Sequence, residues 1–200
     1  MPNLFLTRSR RSFGSVEFLR LCFTGRKYPE MKTVLRNLSI GVLIVVGAAL
    51  VLLFTPIGDR PLTALFSVGD VENTEFAEVK LTGNPNQFLM CPPGYCGAKP
   101  HVESSVFDLS VTQLREHWHD VVAAQPRIAL LGEDEDGYQF DYVQRSARFR
   151  FPDVITVRFI SISSSQSTLA IFGRAIYGKS DFGVNRKRIE AWLTTLGEGL

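Results

Sequence analysis

Hydrophobic positions along this chain follow three different patterns. The first is no period at all: "LSIGVLIVVGAALVLLF", Leu38 to Phe54, is continuously apolar and sits inside an uncharged window, Asn37 to Gly58, of 22 residues. Crossing a bilayer takes about 20 largely apolar residues, so this window predicts a transmembrane helix. "EFAEVKL", Glu75 to Leu81, alternates apolar and polar and predicts a short strand. A Gly-, Pro- and Asn-rich stretch, Thr82 to Ser105, follows as a long loop.

At Ser110 the spacing becomes helical. "SVTQ" is a capping box, in which Ser110 and Gln113 each satisfy a backbone N–H of the other's residue. Val111, Leu114, Trp118, Val121 and Val122 then give one apolar face, and Pro126 ends it. Beyond it the period drops to two. "IALLG" reads as a short buried strand, "EDEDG" (Glu133 to Gly137) as a charged turn, and "YQFDYVQRSARFRF" and "DVITVRFISIS" as strands broken at Pro152–Asp153. "SSQS" turns the chain into the strand "TLAIFGRAIYG". Ile155, Val157 and Phe159 share one face of the sheet; Thr168, Ala170, Phe172 and Arg174 share a face of theirs. Helical spacing returns with Ile189, Trp192, Leu193 and Leu196.

The pattern predicts an α+β fold: an antiparallel meander of about four or five strands packed by two amphipathic helices, preceded by one transmembrane helix. Residues 1–36 form a basic N-terminal segment, 37–58 the membrane span, 59–82 a connector with a short strand, and 83–200 the folded domain.

Charge orients this arrangement. Residues 1–36 carry eight Lys/Arg against two acids, whereas residues 59–200 carry fourteen against eighteen. By the positive-inside rule the N-terminus is cytoplasmic and the domain extracytoplasmic, which in a two-membrane cell means an inner-membrane anchor and a periplasmic domain. A cleaved signal peptide is the competing reading, but the apolar run is longer than usual and no A-x-A-like site follows it. Met31 opens "MKTVLRNLSIG", itself a complete signal-anchor start, so the chain has two candidate starts, Met1 and Met31, and by the second residues 1–30, with Cys22, are a mis-assigned start. The basic pI of about 8.5 belongs to the tail, and the mildly acidic domain argues against nucleic acid.

Candidate chemistry is sparse. Cys91 and Cys96 frame "CPPGYC"; outside the cytoplasm a structural disulfide is favoured over a redox pair or free thiols. His117 and His119 are two apart and point to different sides of a helix, and His101 stands alone, so no metal set forms. "EDEDG" lacks the distal Glu of a calcium loop and reads as a solvated hairpin tip. No serine elbow, phosphate loop or dinucleotide fingerprint is present, so neither cofactor nor metal is expected.

Cations are the remaining feature. From Phe140 to Glu190 there are nine Lys/Arg (Arg145, Arg148, Arg150, Arg158, Arg174, Lys179, Arg186, Lys187 and Arg188) and four acids (Asp141, Asp153, Asp181 and Glu190). Three cations open the last helix, where the macrodipole disfavours each by about 0.3–1 kcal/mol when exposed. Something negative must meet them. Internal pairing is one account, with Asp153 or Asp181 accepting from Arg174, Arg186 or Arg188. An anion-binding site formed by Arg174, Lys179, Asp181, Asn185, Arg186 and Arg188 is the other.

"GRAIYGKSDFGVNRKRIEAWL" resembles the C-terminal signature of the domain of unknown function 1499 family, a Ser-Arg-x-Gly-x-Ser-Asp-x-Gly-x-Asn-Arg-x-Arg segment before a final helix. Gly178, Ser180, Asp181, Gly183, Asn185, Arg186 and Arg188 match it; Ala175 and Ile176 stand where the family has Ser-Arg, with Arg174 nearby. "RSARFRFPDVITVRF" is similar to the family's strand pair through Arg145, Ser146, Arg150, Phe151, Asp153 and Val154, and the cysteine loop to its Cys-Pro-rich opening. The likeness runs from about Cys91 to Leu200 and implies a bacterial envelope or plastid-lumen protein without an established activity. The expectation is a membrane-anchored extracytoplasmic binding or accessory module for an anionic envelope component or lipid. Its alternatives are an envelope hydrolase using Asp153 or Asp181 as acid/base, and a partner-docking domain.

Overall fold

The computed structural model describes residues 30–71 and 74–199. Most of the basic N-terminal segment, with Cys22, lies outside the described residues. Helix α1, Met31–Phe54, has no buried residue. At about 1.5 Å per residue its 24 residues run about 36 Å, enough to cross a hydrocarbon core of about 30 Å. The helix stops short of the uncharged window's end. Thr55, held extended before Pro56, breaks it, a 3₁₀ turn follows at Pro56–Gly58, and α2 occupies Asp59–Leu65.

The domain is built on one six-stranded sheet, in the order β2-β1-β6-β5-β4-β3. The expected meander is its central part: β3 (Ile128–Glu133), β4 (Gln139–Arg145), β5 (Pro152–Ser161) and β6 (Ser167–Ala175) pair antiparallel in sequence. Two strands come from within the stretch expected to be a loop. β1, Gln87–Cys91, pairs antiparallel with β6, and β2, the two residues Val102–Glu103, pairs parallel with β1. β1 escapes a period-two reading because both its faces are covered: Phe88 and Met90 join the core beneath the helices, Leu89 and Cys91 a second core on the other side.

The strand expected at Glu75–Leu81 is instead a 3₁₀ turn, Phe76–Glu78. Its buried residues, Phe76 and Val79, are three apart, the spacing that a 3₁₀ turn brings to one side. This turn and the cysteine loop cover the second face of the sheet. Cys91 and Cys96 form a disulfide with Cα atoms 6.2 Å apart, and the Gly97 N–H donates to the Phe76 carbonyl at 2.9 Å. His101 has a structural role: its Nδ1 accepts the Leu89 N–H at 3.0 Å.

Three further expectations change. Pro152 and Asp153 lie in β5 rather than at a break; the chain turns earlier, around Ser146–Phe151, where each residue's backbone N–H finds an oxygen of the other. β3 is an exposed edge strand with a register shift between Leu130 and Gly132, not a buried one. The "EDEDG" tip is also more than solvated acid. Both Asp134 and Asp136 pair with Arg158, and Asp134 Oδ1 accepts the backbone N–H groups of Tyr138 and Gln139.

On the other face lie α3 (Val111–Ala123) and α4 (Val184–Glu198). The capping box at Ser110 and Gln113 forms as expected. Trp118 is fully buried between Phe159 and Trp192. Ile189, Trp192 and Leu196 are buried while Leu193 sits at the margin. Gly173 on β6 lets α4 approach closely: a Cβ there would stand 3.0 Å from both Asn185 Oδ1 and Ile189 Cδ1. Gly173→Val is therefore expected to destabilise the domain by about 1–3 kcal/mol in urea denaturation.

His119 on α3 packs edge-on against the Phe140 ring, with Nδ1 3.1 Å from Tyr142 Oη. Burial first, then Arg115, lower its pKa below 6.5, while Glu133 and Asp120 oppose them. The unfolded chain thus binds the extra proton more readily, so this stability is present above about pH 6.5 and lost as pH falls through the folded value. Asp141 and Asp153, both raised by burial, act with the opposite sign at lower pH. Chemical denaturation across pH 5–8 is expected to show stability rising with pH, and His119→Gln to flatten that rise.

Candidate functional site: a clasp and a basic groove at the start of α4

The turn before α4 uses left-handed backbone at Gly178, Phe182 and Gly183 (φ 88°, 55° and 75°), conformations that glycine adopts freely and phenylalanine does not. That turn carries Asp181 back under the helix start. Its Oδ1 accepts the Gly183 N–H at 2.8 Å; its Oδ2 accepts the Asn185 N–H at 2.9 Å and Asn185 Nδ2 at 2.8 Å. A carboxylate thus occupies the position that the helix dipole favours. Asn185 is fully buried, and its Oδ1 accepts from Arg188 at 2.7 Å. The other nitrogen of that guanidinium donates to Asp153 Oδ2 on β5 at 2.7 Å. Both charged side chains are mostly buried, 10 and 14 % exposed. Burial raises the pKa of Asp153, and Arg188 pulls it back down only in part.

The structure therefore brings Asp181, Asn185 and Arg188 together, with Asp153, as a clasp between helix and sheet. The other sequence candidates lie apart from it. Arg186 pairs with Glu190 one turn on, at 2.8 Å and largely exposed. Lys179 is exposed in the turn. Arg174 follows Gly173 and so points to the opposite face, where it reaches Thr74 Oγ1 at 3.3 Å and lies over the Phe172 ring. Burial lowers its pKa, with Asp141 opposing.

A different set of cations lines a cavity. Between α4, the chain entering β3 and the end of β4 runs a groove of about 580 Å³ lined by Arg127, Arg145, Lys187 and Arg188. Its remaining walls are Gln125, Gln144, Ser146, Ala147, Val184, Ala191, Trp192 and Thr195, so no carboxylate faces into it. Arg145 donates to two carbonyls, those of Phe66 at 2.7 Å and Arg150 at 2.9 Å. Burial lowers its pKa, and Tyr177 raises it less. Arg127 holds a left-handed backbone (φ 58°), a conformation costing about 1–3 kcal/mol for a non-glycine residue, and its Nε donates to the Arg145 carbonyl at 3.1 Å. Among the described residues its two terminal nitrogens have no hydrogen-bond partner. Sequence reasoning missed Arg127, because the groove is assembled from separate segments and a cation next to Pro126 carries no local signal.

A second cleft of about 530 Å³, lined by Glu75, Tyr95, Asp134, Glu135, Asp136 and Arg158, lies on the sheet's other side. Arg158 already engages two of its carboxylates, and hydrogen bonding to Arg158 holds Asp136 below the usual carboxylate range. Among the described residues no group of three or more His, Cys, Asp and Glu is placed to hold a metal ion.

The two helix-opening arginines are expected to behave differently. Arg188→Ala leaves Asp153 buried without its partner and should cost about 3–5 kcal/mol of unfolding free energy. Arg186→Ala removes an exposed pair and should cost under about 0.5 kcal/mol; urea denaturation of the two variants side by side checks this.

No curated protein matches the chain. A family model described as "Protein of unknown function (DUF1499)" matches residues 80–196, a span from the cysteine strand to the last turns of α4 that includes clasp and groove. The chain belongs to that family.

Proposed function

We propose that this protein is a membrane-anchored extracytoplasmic domain that binds an anionic component of the cell envelope in the groove beside α4. The observation that carries this reading is the groove's lining of four cations without a carboxylate. Arg188 is already paired with Asp153, but half-buried Arg145 donates only to carbonyls and, with exposed Arg127 and Lys187, leaves positive charge that a phosphate or carboxylate would neutralise. Arg127 and Arg145 suit the planar, two-point recognition of such a group, Lys187 adds a flexible charge, and Gln144, Ser146 and Thr195 offer further polar contacts.

Arg188 belongs to both clasp and groove, so ligand binding there is coupled to the docking of α4. Of the residues first proposed as the anion site, Arg188 is the one retained in the groove. Asp181 and Asn185 support it from behind, whereas Arg174, Lys179 and Arg186 lie outside the lining. An apolar helix of spanning length at the N-terminal side and the excess of cations before it support a cytoplasmic N-terminus, an uncleaved inner-membrane anchor and a periplasmic domain.

A partner-docking role draws on one separate observation, the exposed edge strand β3 with Leu130 and Leu131 at 55 and 42 % exposure. The hydrolase reading has less support, because neither Asp153 nor Asp181 lines the groove.

Titrating the full chain in detergent micelles with inorganic phosphate and glycerol phosphate, by calorimetry, tests the groove. Binding is expected to weaken about tenfold or more in Arg127→Glu and Lys187→Glu. It should persist in Arg186→Glu, whose side chain lies outside. Equal binding by all four proteins would remove the anion reading.

A further inference from the structure

The strand turn Ser146–Phe151 and the segment leaving α2 build an aromatic cluster that neither core absorbs. Phe66 and Phe151 meet edge to face at 4.5 Å, Phe66 and Tyr177 at 5.5 Å, and Phe149 stacks on Phe151 at 5.4 Å. Phe149, Phe151 and Tyr177 nevertheless remain 47, 37 and 39 % exposed. Isolated exposed apolar residues need no explanation, but a contiguous patch of rings does.

The patch lies beside the point where the apolar helix ends. Arg148, in the same turn, places its guanidinium 5.2 Å from the centre of the Phe54 ring, and Phe54 is the last residue of α1. Arg150 pairs with Asp59 at the start of α2. Of the three arginines in the turn "RSARFRF", Arg150 is paired with Asp59, but exposed Arg148 has no acid beside it in the turn, so its charge suits an anionic surface as the rings suit an apolar one. Rings and arginines together are the combination that settles at the bilayer–water boundary, where an aromatic ring is half solvated and an arginine stem can lie on apolar surface.

We propose that Phe149, Phe151, Tyr177 and Arg148 form a seat for the phospholipid headgroup layer, laying the domain against the leaflet from which it is anchored. The proposal rests on the membrane-anchor reading of α1 but not on the anion groove. The seat also bears on that groove, since Arg145 donates to the carbonyl of Phe66 while lining the groove. Docking would therefore hold one groove wall near the headgroup layer.

The test reconstitutes the full chain in nanodiscs of phosphatidylglycerols brominated at shallow and at deep acyl positions and reads tryptophan emission against the wild type, whose Trp118 and Trp192 are buried. Phe149→Trp reports the seat, and Tyr177→Trp repeats the measurement should the first variant fold poorly. Val45→Trp reports the apolar helix. Ile162→Trp is the control, exposed just past the far end of β5, about 30 Å from Pro152 at strand rise. The seat is supported if the Phe149 and Tyr177 reporters lose emission in brominated lipid as Val45→Trp does, while Ile162→Trp keeps its own. If only Val45→Trp is quenched, the anchor stands and the seat is overturned; if no position is quenched, both readings fall.

Discussion

Docking of α4 onto the sheet depends on Arg188. Its guanidinium is the only part of the clasp that reaches both partners, donating to the helix at Asn185 and to the strand at Asp153. Two nearly buried charges pay a desolvation cost that only good geometry offsets. Here the geometry is supplied from three directions: Asp181 orients Asn185, Gly173 leaves room for it, and the register of β5 against β6 sets Asp153 opposite Ala175. Loss of any one would leave a buried polar group without its partner.

That arrangement explains the segment through which the chain resembles its family. Gly178 and Gly183 have left-handed backbone, Asp181 caps the helix, Asn185 is buried, and Arg188 crosses to the sheet. Ser180 Oγ accepts the Phe182 N–H at 3.2 Å. Each matched residue other than Arg186 thus has a local structural task in forming the turn or docking the helix. A motif dense in charge can be architectural, while Arg127, Arg145 and Lys187 line the groove beside it.

The sheet is covered on both faces, by the two helices on one side and by the 3₁₀ turn with its disulfide loop on the other. The turn lies between α2 and β1 in the chain and the disulfide loop between β1 and β2; together they close a core around Leu89, Ala170 and Phe172. The aromatic cluster and the basic groove meet at Arg145, at the end of β4. The two features are therefore neighbours within one end of the domain.

Much of the fold was legible in the residues taken in order. A charge-free apolar run, a capping box and helical or alternating spacing are local signals, and they located α1, α3, α4 and the meander because each element's own pattern records which face it buries. β1 was not legible, since a strand buried on both faces has no alternation, and the Phe76–Val79 spacing was misread for lack of a reference face. The sequence also showed that something negative must meet the cations of α4. It could not say that Asp153 meets Arg188 while Asp181 turns to the backbone of the helix start, nor that Arg174 turns away, because those outcomes depend on which residues tertiary packing sets side by side. Groove and aromatic patch draw on segments far apart in the chain, so only tertiary packing could assemble them.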